Sequence, residues 1–142
     1  MSKTHSSVLS LIGNTPLVEI KNIDTGLCRL FVKMESDNPG GSIKDRVASY
    51  IINQAEKEGK LKPGGTIIEA TAGNTGIGLA LVGILKGYKV LLVIPDKMSL
   101  EKIAHLKALG AEIKFTRSDV GKDHPEYYHN IAEGYAKSIP GA

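Results

Sequence analysis

Two short segments of this 142-residue chain bring together residue types that could do covalent chemistry on a small anion. The first is Asn38-Pro39-Gly40-Gly41-Ser42-Ile43-Lys44-Asp45-Arg46, just ahead of a long amphipathic run. Ser42 reads as a helix N-cap, with Asp45 three residues on as a near-match to a capping box. Lys44 then falls in the first helical turn, at the positive end of the macrodipole, where an exposed cation costs roughly 0.3–1 kcal/mol. The same field disfavours an ammonium group, so a partly buried lysine there is more nucleophilic and suited to an imine with a carbonyl cofactor. The ordinary alternative is a surface lysine that tolerates a small penalty. Gly40-Gly41 weighs against it, because paired glycines let the backbone approach something bulky.

The second segment is Thr71-Ala72-Gly73-Asn74-Thr75-Gly76-Ile77-Gly78. It follows Thr66 to Ala70, which reads as a buried strand, and leads into a helix over Thr75 to Lys86 closed by Gly87. A strand, a glycine- and hydroxyl-rich turn and a helix N-terminus together make an anion site. Backbone N–H groups and the dipole converge there, and Thr71 and Thr75 add hydroxyls. A carboxylate or a phosphate would suit equally. A nucleotide fold is a poorer match, since Gly73, Gly76 and Gly78 run G-x-x-G-x-G where a dinucleotide fingerprint runs G-x-G-x-x-G. The Walker pattern is absent from the sequence.

The elements that position these segments follow from periodicity. Leu17 to Ile20 and Leu30 to Lys33 read as short strands, and a helix is expected from Ser42 to Glu58, stopped by Gly59. Ile43, Val47, Ile51 and Ala55 form its expected apolar stripe. From Thr66 the pattern is regular: strand 66–70, helix 75–86, strand 89–94, helix 100–109 with Ser99 as N-cap, strand 112–116, helix 126–137. Val90 to Ile94 is apolar throughout, as in a parallel strand covered on both faces. This βαβαβα order predicts an α/β fold of three layers, αβα, around a mostly parallel sheet with right-handed crossovers. Ligands of such sheets sit beyond the carboxyl ends of the strands, where Thr71 to Gly76 lie.

Composition narrows the classes. With 42% hydrophobic and 23% charged residues the chain is ordinary globular material, enough for one domain. The net charge of +3 is scattered along helical faces, and there is no Trp, so no nucleic-acid surface is expected. No apolar run approaches a membrane span, and the first ten residues do not resemble a signal peptide. Cys28 is the single cysteine, which excludes an internal disulfide and points to the cytoplasm; it is expected to be a small buried hydrophobe. His5, His105, His124 and His129 lack ligand spacing and acidic or thiol partners, so no metal is expected. Tyr127 and Tyr128 read as packing residues, and Ser118 to His124 as a polar loop. The chain ends on Ile139-Pro140-Gly141-Ala142 without a further strand, which suggests a fragment.

Taken with Leu11-Ile12-Gly13-Asn14-Thr15-Pro16-Leu17 and Pro95-Asp96-Lys97-Met98-Ser99, the two segments closely resemble the cysteine synthase and cystathionine β-synthase family. These are pyridoxal-phosphate enzymes of the tryptophan-synthase-β fold type, and the resemblance runs from about Val8 to the C-terminus. It implies that Lys44 holds the cofactor as a Schiff base and shuttles the Cα proton, and that Asn74 hydrogen-bonds the cofactor's ring hydroxyl oxygen. Thr71, Ala72, Gly73, Asn74 and Thr75 would form the substrate-carboxylate loop, with Asn14 and Thr15 nearby. The implied reaction is β-replacement on serine or O-acetylserine, with a thiol or sulfide as second substrate, in a homodimer. Residues 1–41 would belong to the large domain and 42–142 form the small, mobile one, with the remainder of the large domain beyond residue 142. That remainder would supply the phosphate loop, the partner of the pyridine nitrogen and the residues that select the thiol.

Ala72 departs from the pattern, standing where many members have Ser. A lost hydrogen bond to a charged group typically costs about 1.5–3 kcal/mol. The stretches from Lys97 to Lys102 and from Gly110 to Ile113 lean toward the cystathionine side of the family. The competing reading is a non-catalytic fragment or pseudoenzyme that binds small anions or a partner.

Overall fold

A computed structural model describes residues 4–142 apart from Ala72. Strand β4 (Lys89–Pro95) is its centre, with Leu92, Val93 and Ile94 wholly buried. It pairs in parallel with β3 (Thr66–Ala70) on one side and β5 (Glu112–Thr116) on the other. Ala70 stands opposite Val93, and Pro95 opposite Thr116, so the carboxyl ends of all three strands open on one edge. Alternate residues of β4 face opposite ways. Val90, Leu92 and Ile94 pack with Ile77 and Ala80 of α2 (Asn74–Leu85) and Leu106 of α3 (Leu100–Ala108). Helix α4 (Tyr128–Ser138) packs on β3 and β4 and completes the three layers expected from the sequence.

Helix α1 (Lys44–Lys57) lies on α2 rather than on the sheet. Ala48 and Ile52 of α1, Leu79 and Val82 of α2, and Leu61 and Tyr88 form a second core between them. The face α1 buries is therefore not the expected stripe. Ile43, Val47 and Ile51 are exposed, while Asp45, Ala48 and Ile52 are buried, one position further round. The reason is close approach: a methyl group on Gly78 of α2 would come within 2.7 Å of the Lys44 carbonyl oxygen. That contact turns the side of α1 carrying Ala48 and Ile52 toward α2.

Ahead of α1, β1 (Leu17–Ile20) and β2 (Leu30–Lys33) form a separate antiparallel hairpin. Leu17, Val18, Phe31 and Val32 are all exposed on it. The parallel expectation thus holds for β3 to β5 and not for this pair. Cys28, beside the hairpin, is exposed rather than buried, because nothing packs over the loop that carries it. Among the described residues no helix is long and apolar enough to cross a membrane, and no acidic, His or Cys group could hold a metal ion.

Candidate active site

The loop over 38–43 that delivers Lys44 is set by its glycines. Gly41 has φ +79°, a left-handed conformation that side chains resist, and its N–H donates to the Asn38 carbonyl at 2.7 Å. The helix then begins at Lys44, two residues later than the sequence suggests, and its start is not a capping box. The Ser42 hydroxyl accepts from the Lys44 N–H at 3.1 Å, and the Asp45 carboxylate reaches back to the N–H of Gly40. Asp45 is fully buried, and its Oδ1 has no hydrogen-bond partner. Burial pushes its carboxyl up from the ordinary Asp range, opposed by the Gly40 hydrogen bond. A side chain extending Gly40 would collide with that carboxylate, so glycine is required there.

Two residues after Lys44, Arg46 anchors a polar cluster that the sequence reading missed. Its Nε and Nη2 donate to the two oxygens of Glu35 at 2.9 and 3.0 Å, and Nη2 also reaches the Thr15 hydroxyl at 3.2 Å. Thr15 donates in turn to Glu35 at 2.8 Å, and Asn38 donates to Glu35 while accepting from the N–H of Gly13 at 2.8 Å. The Arg46 guanidinium, with help from Thr15, holds the Glu35 carboxyl down at about 2. Gly13 and Asn14 turn through positive φ, +89° and +48°, directly before buried Thr15. A methyl on Gly13 would meet Arg46 at 2.8 Å. The cluster therefore clamps the Gly13–Pro16 segment to the first turns of α1. Its sequence signal was an acid and an amide, Glu35 and Asn38, within one helical turn of each other and followed by Arg46.

The glycine loop forms as a strand-to-helix turn. Thr71 is buried, its N–H donates to the Val93 carbonyl at 3.2 Å, and its hydroxyl accepts from the N–H of Gly73 at 3.1 Å. Gly73 is the N-cap of α2, and no side chain caps that helix. Space around Gly73 is open, with no atom within 4 Å of where a Cβ would sit. A methyl on Gly76 would run into the Thr71 side chain at 2.6 Å, so this glycine lets the turn close on itself. Asn74 is exposed and Thr75 half-buried. Ala72, the position of the expected missing hydroxyl, lies outside the described residues.

The two segments meet. Lys44 is half-buried, and its backbone lies against Gly78, one helical turn beyond Asn74 on the helix that the glycine loop opens. The residue that carries this primary amine thus packs, through its backbone, on the helix whose uncapped N-terminus has open space at its cap. This donor set fits a group that carries an aldehyde for the amine and an anion for the N–H donors.

Comparison with known proteins agrees with that chemistry. The chain is 47% identical to the cystathionine beta-synthase of Saccharomyces cerevisiae over 140 residues, covering 96% of this chain and 28% of that protein. It is 48% identical to cysteine synthase 1 of Emericella nidulans over 133 residues, covering 92% of this chain and 35% of that one. Among solved structures, a hydrogen sulfide-producing enzyme from Fusobacterium nucleatum matches with a TM-score of 0.88 at 44% identity, over 99% of this chain and 45% of its own. The chain therefore spans about a third or less of the length of these curated relatives and under half of that solved structure. Residues 8–142 match the family described as pyridoxal-phosphate dependent enzymes, and the chain belongs to that family.

Proposed function

We propose that the protein acts in a pyridoxal-phosphate-dependent β-replacement on serine or O-acetylserine, as a cystathionine β-synthase or a cysteine synthase. The observation that carries this reading is the packing of Lys44 against Gly78, which brings the amine-bearing residue to the helix opened by Thr71 to Thr75. When bound, pyridoxal phosphate supplies an aldehyde carbon and an electron-withdrawing ring. Lys44 would hold it through Nζ and afterwards use the freed amine to move the substrate's Cα proton. Asn74 would hydrogen-bond the ring oxygen. The N–H groups of Asn74 and Thr75, at the cap that Gly73 forms, with the hydroxyls of Thr71 and Thr75, would bind the substrate carboxylate and fix the direction of the Cα–H bond. At the position of Ala72, backbone donors would take the place of a hydroxyl.

The greater lengths of the relatives support a division of labour. Residues 1–41 would join the large domain, and 42–142 would form the small one that closes on substrate. A cytoplasmic homodimer is part of the same proposal.

Trapping is the direct test. The native full-length polypeptide incubated with pyridoxal phosphate is expected to turn yellow and to lose its visible band on borohydride treatment, with the label on the peptide containing Lys44. A colourless product, or undiminished turnover in Lys44→Ala, overturns the reading. Serine with homocysteine, set against O-acetylserine with sulfide, separates the two activities.

A further inference from the structure

The carboxyl edge of the sheet holds a second feature that the carboxylate loop does not use. Between the ends of β4 and β5 and the start of α4 lies a cavity of about 400 Å³, within the range of small-molecule sites. Its charged lining is cationic: Lys97, Lys102 and Arg117. Its apolar wall is built from Met98, Val120 and the half-buried rings of Tyr127 and Tyr128, whose centroids lie 4.6 Å apart. These tyrosines, expected to be packing residues, thus also face open space.

The three cations are not equivalent. Arg117 is more than neutralised by two carboxylates, donating to Asp119 at 2.9 Å and to Glu126 at 3.2 Å. Among the described residues neither Lys97 nor Lys102 belongs to an ion pair, although the field of Lys97 adds weakly to that of Arg117 on Asp119. Both flank the N-terminus of α3, whose dipole adds to their positive field; Ser99 caps the Lys102 N–H at 3.4 Å. Two ammonium groups outside any such ion pair, over an apolar wall, suit a ligand with one carboxylate and a short hydrocarbon stem. Bare sulfide has neither feature, and inorganic phosphate has no use for the wall.

The cavity's place relative to the carboxylate loop is fixed by the sheet. Thr71 donates to the carbonyl of Val93, and Pro95, the first residue of the cavity wall, lies two residues further along the same strand, roughly 7 Å. Resting on the β-replacement reading, we propose that this cavity is the recognition site for the second substrate, a thiol that carries its own α-carboxylate, held by Lys97 and Lys102. Thiol selection, expected from the sequence to lie beyond this segment, would then reside partly within it.

The test compares homocysteine with 3-mercaptopropylamine, the same thiol without its carboxylate, on the native full-length enzyme with serine as first substrate. The wild type is expected to have a KM for homocysteine about tenfold or more below that for the amine, the scale of one charged hydrogen bond. In Lys97→Met/Lys102→Met that ratio should fall toward one, and Lys97→Arg/Lys102→Arg should preserve it. If the methionine double variant does not fold, Lys97→Gln and Lys102→Gln singly should each lower the ratio. Equal KM values in the wild type, or a ratio that the substitutions leave unchanged, overturn the proposal while leaving β-replacement standing. So does inorganic phosphate that competes equally against both thiols, which would mark a phosphate site. A wild type that consumes serine but forms no thioether with either thiol sinks the β-replacement reading itself and this inference with it.

Discussion

Glu35 accepts hydrogen bonds from three side chains at once, and that position makes it acid-sensitive. Its carboxyl is held at about 2 in the fold against an ordinary value near 4.5. A depressed folded value contributes stability that is complete above the ordinary value and is lost as pH falls from about 4.5 toward 2. Glu35→Gln should therefore flatten the acid limb of the unfolding curve in that window, and a melting series from pH 5 to pH 2 checks it. Asp45 works in the opposite sense, since burial raises its carboxyl. The sequence made Lys44 legible as a candidate nucleophile, because a cation at a helix start violates a local rule. It did not make Asp45 legible as a buried tether, because its partner is a backbone N–H five residues back. Nor did it reveal Lys97 and Lys102, whose significance depends on a cavity formed by three separate elements.

At the scale of elements, the joint between α1 and α2 sets the relation of Lys44 to the glycine loop. Gly78→Ala would place a methyl 2.7 Å from the Lys44 carbonyl oxygen. Overpacking of this kind costs about 1–3 kcal/mol. Removing a helical glycine returns about 0.8–1.0 kcal/mol. The backbone carbonyl cannot rotate away as a side chain would, so the clash is expected to win. The variant should melt lower, and borohydride labelling of Lys44 should fall by more than its stability loss explains, measured at a temperature where it remains folded. Strands β3, β4 and β5 and the order of the helices were legible from period and punctuation. The face of α1 was not. Its four-residue stripe is a real pattern, but the close contact between Gly78 and the Lys44 backbone selects the neighbouring face, and periodicity alone carries no information about backbone approach.

For the molecule as a whole, the exposed apolar surface is uneven. The hairpin bares Leu17, Val18, Phe31 and Val32, and α1 bares Val47, Tyr50 and Ile51. With the phosphate anchor expected beyond residue 142, the 142-residue chain alone should hold pyridoxal phosphate loosely. Gel filtration in cofactor-free buffer should strip its colour, whereas the native full-length polypeptide should stay yellow; a tightly retained, borohydride-trapped cofactor in the short chain would contradict this. The layering itself was readable from alternation along the chain. The isolation of the hairpin was not, because two strands of four residues each carry no signal for which sheet they join.

The sealing of β4 has a consequence for motion. Amides in the middle of a strand covered on both faces exchange with solvent only when the layers above and below come apart, whereas a bare two-stranded ribbon exchanges by local fraying. Deuterium should therefore enter the hairpin within the shortest labelling times and reach Leu92 to Ile94 last. Since Thr71 hangs from the Val93 carbonyl, the wall proposed to receive an amino acid's acid group is bolted to the part of the protein expected to open slowest. Admission of substrate must then come from shifts in whatever lies opposite that edge, while the edge keeps its shape.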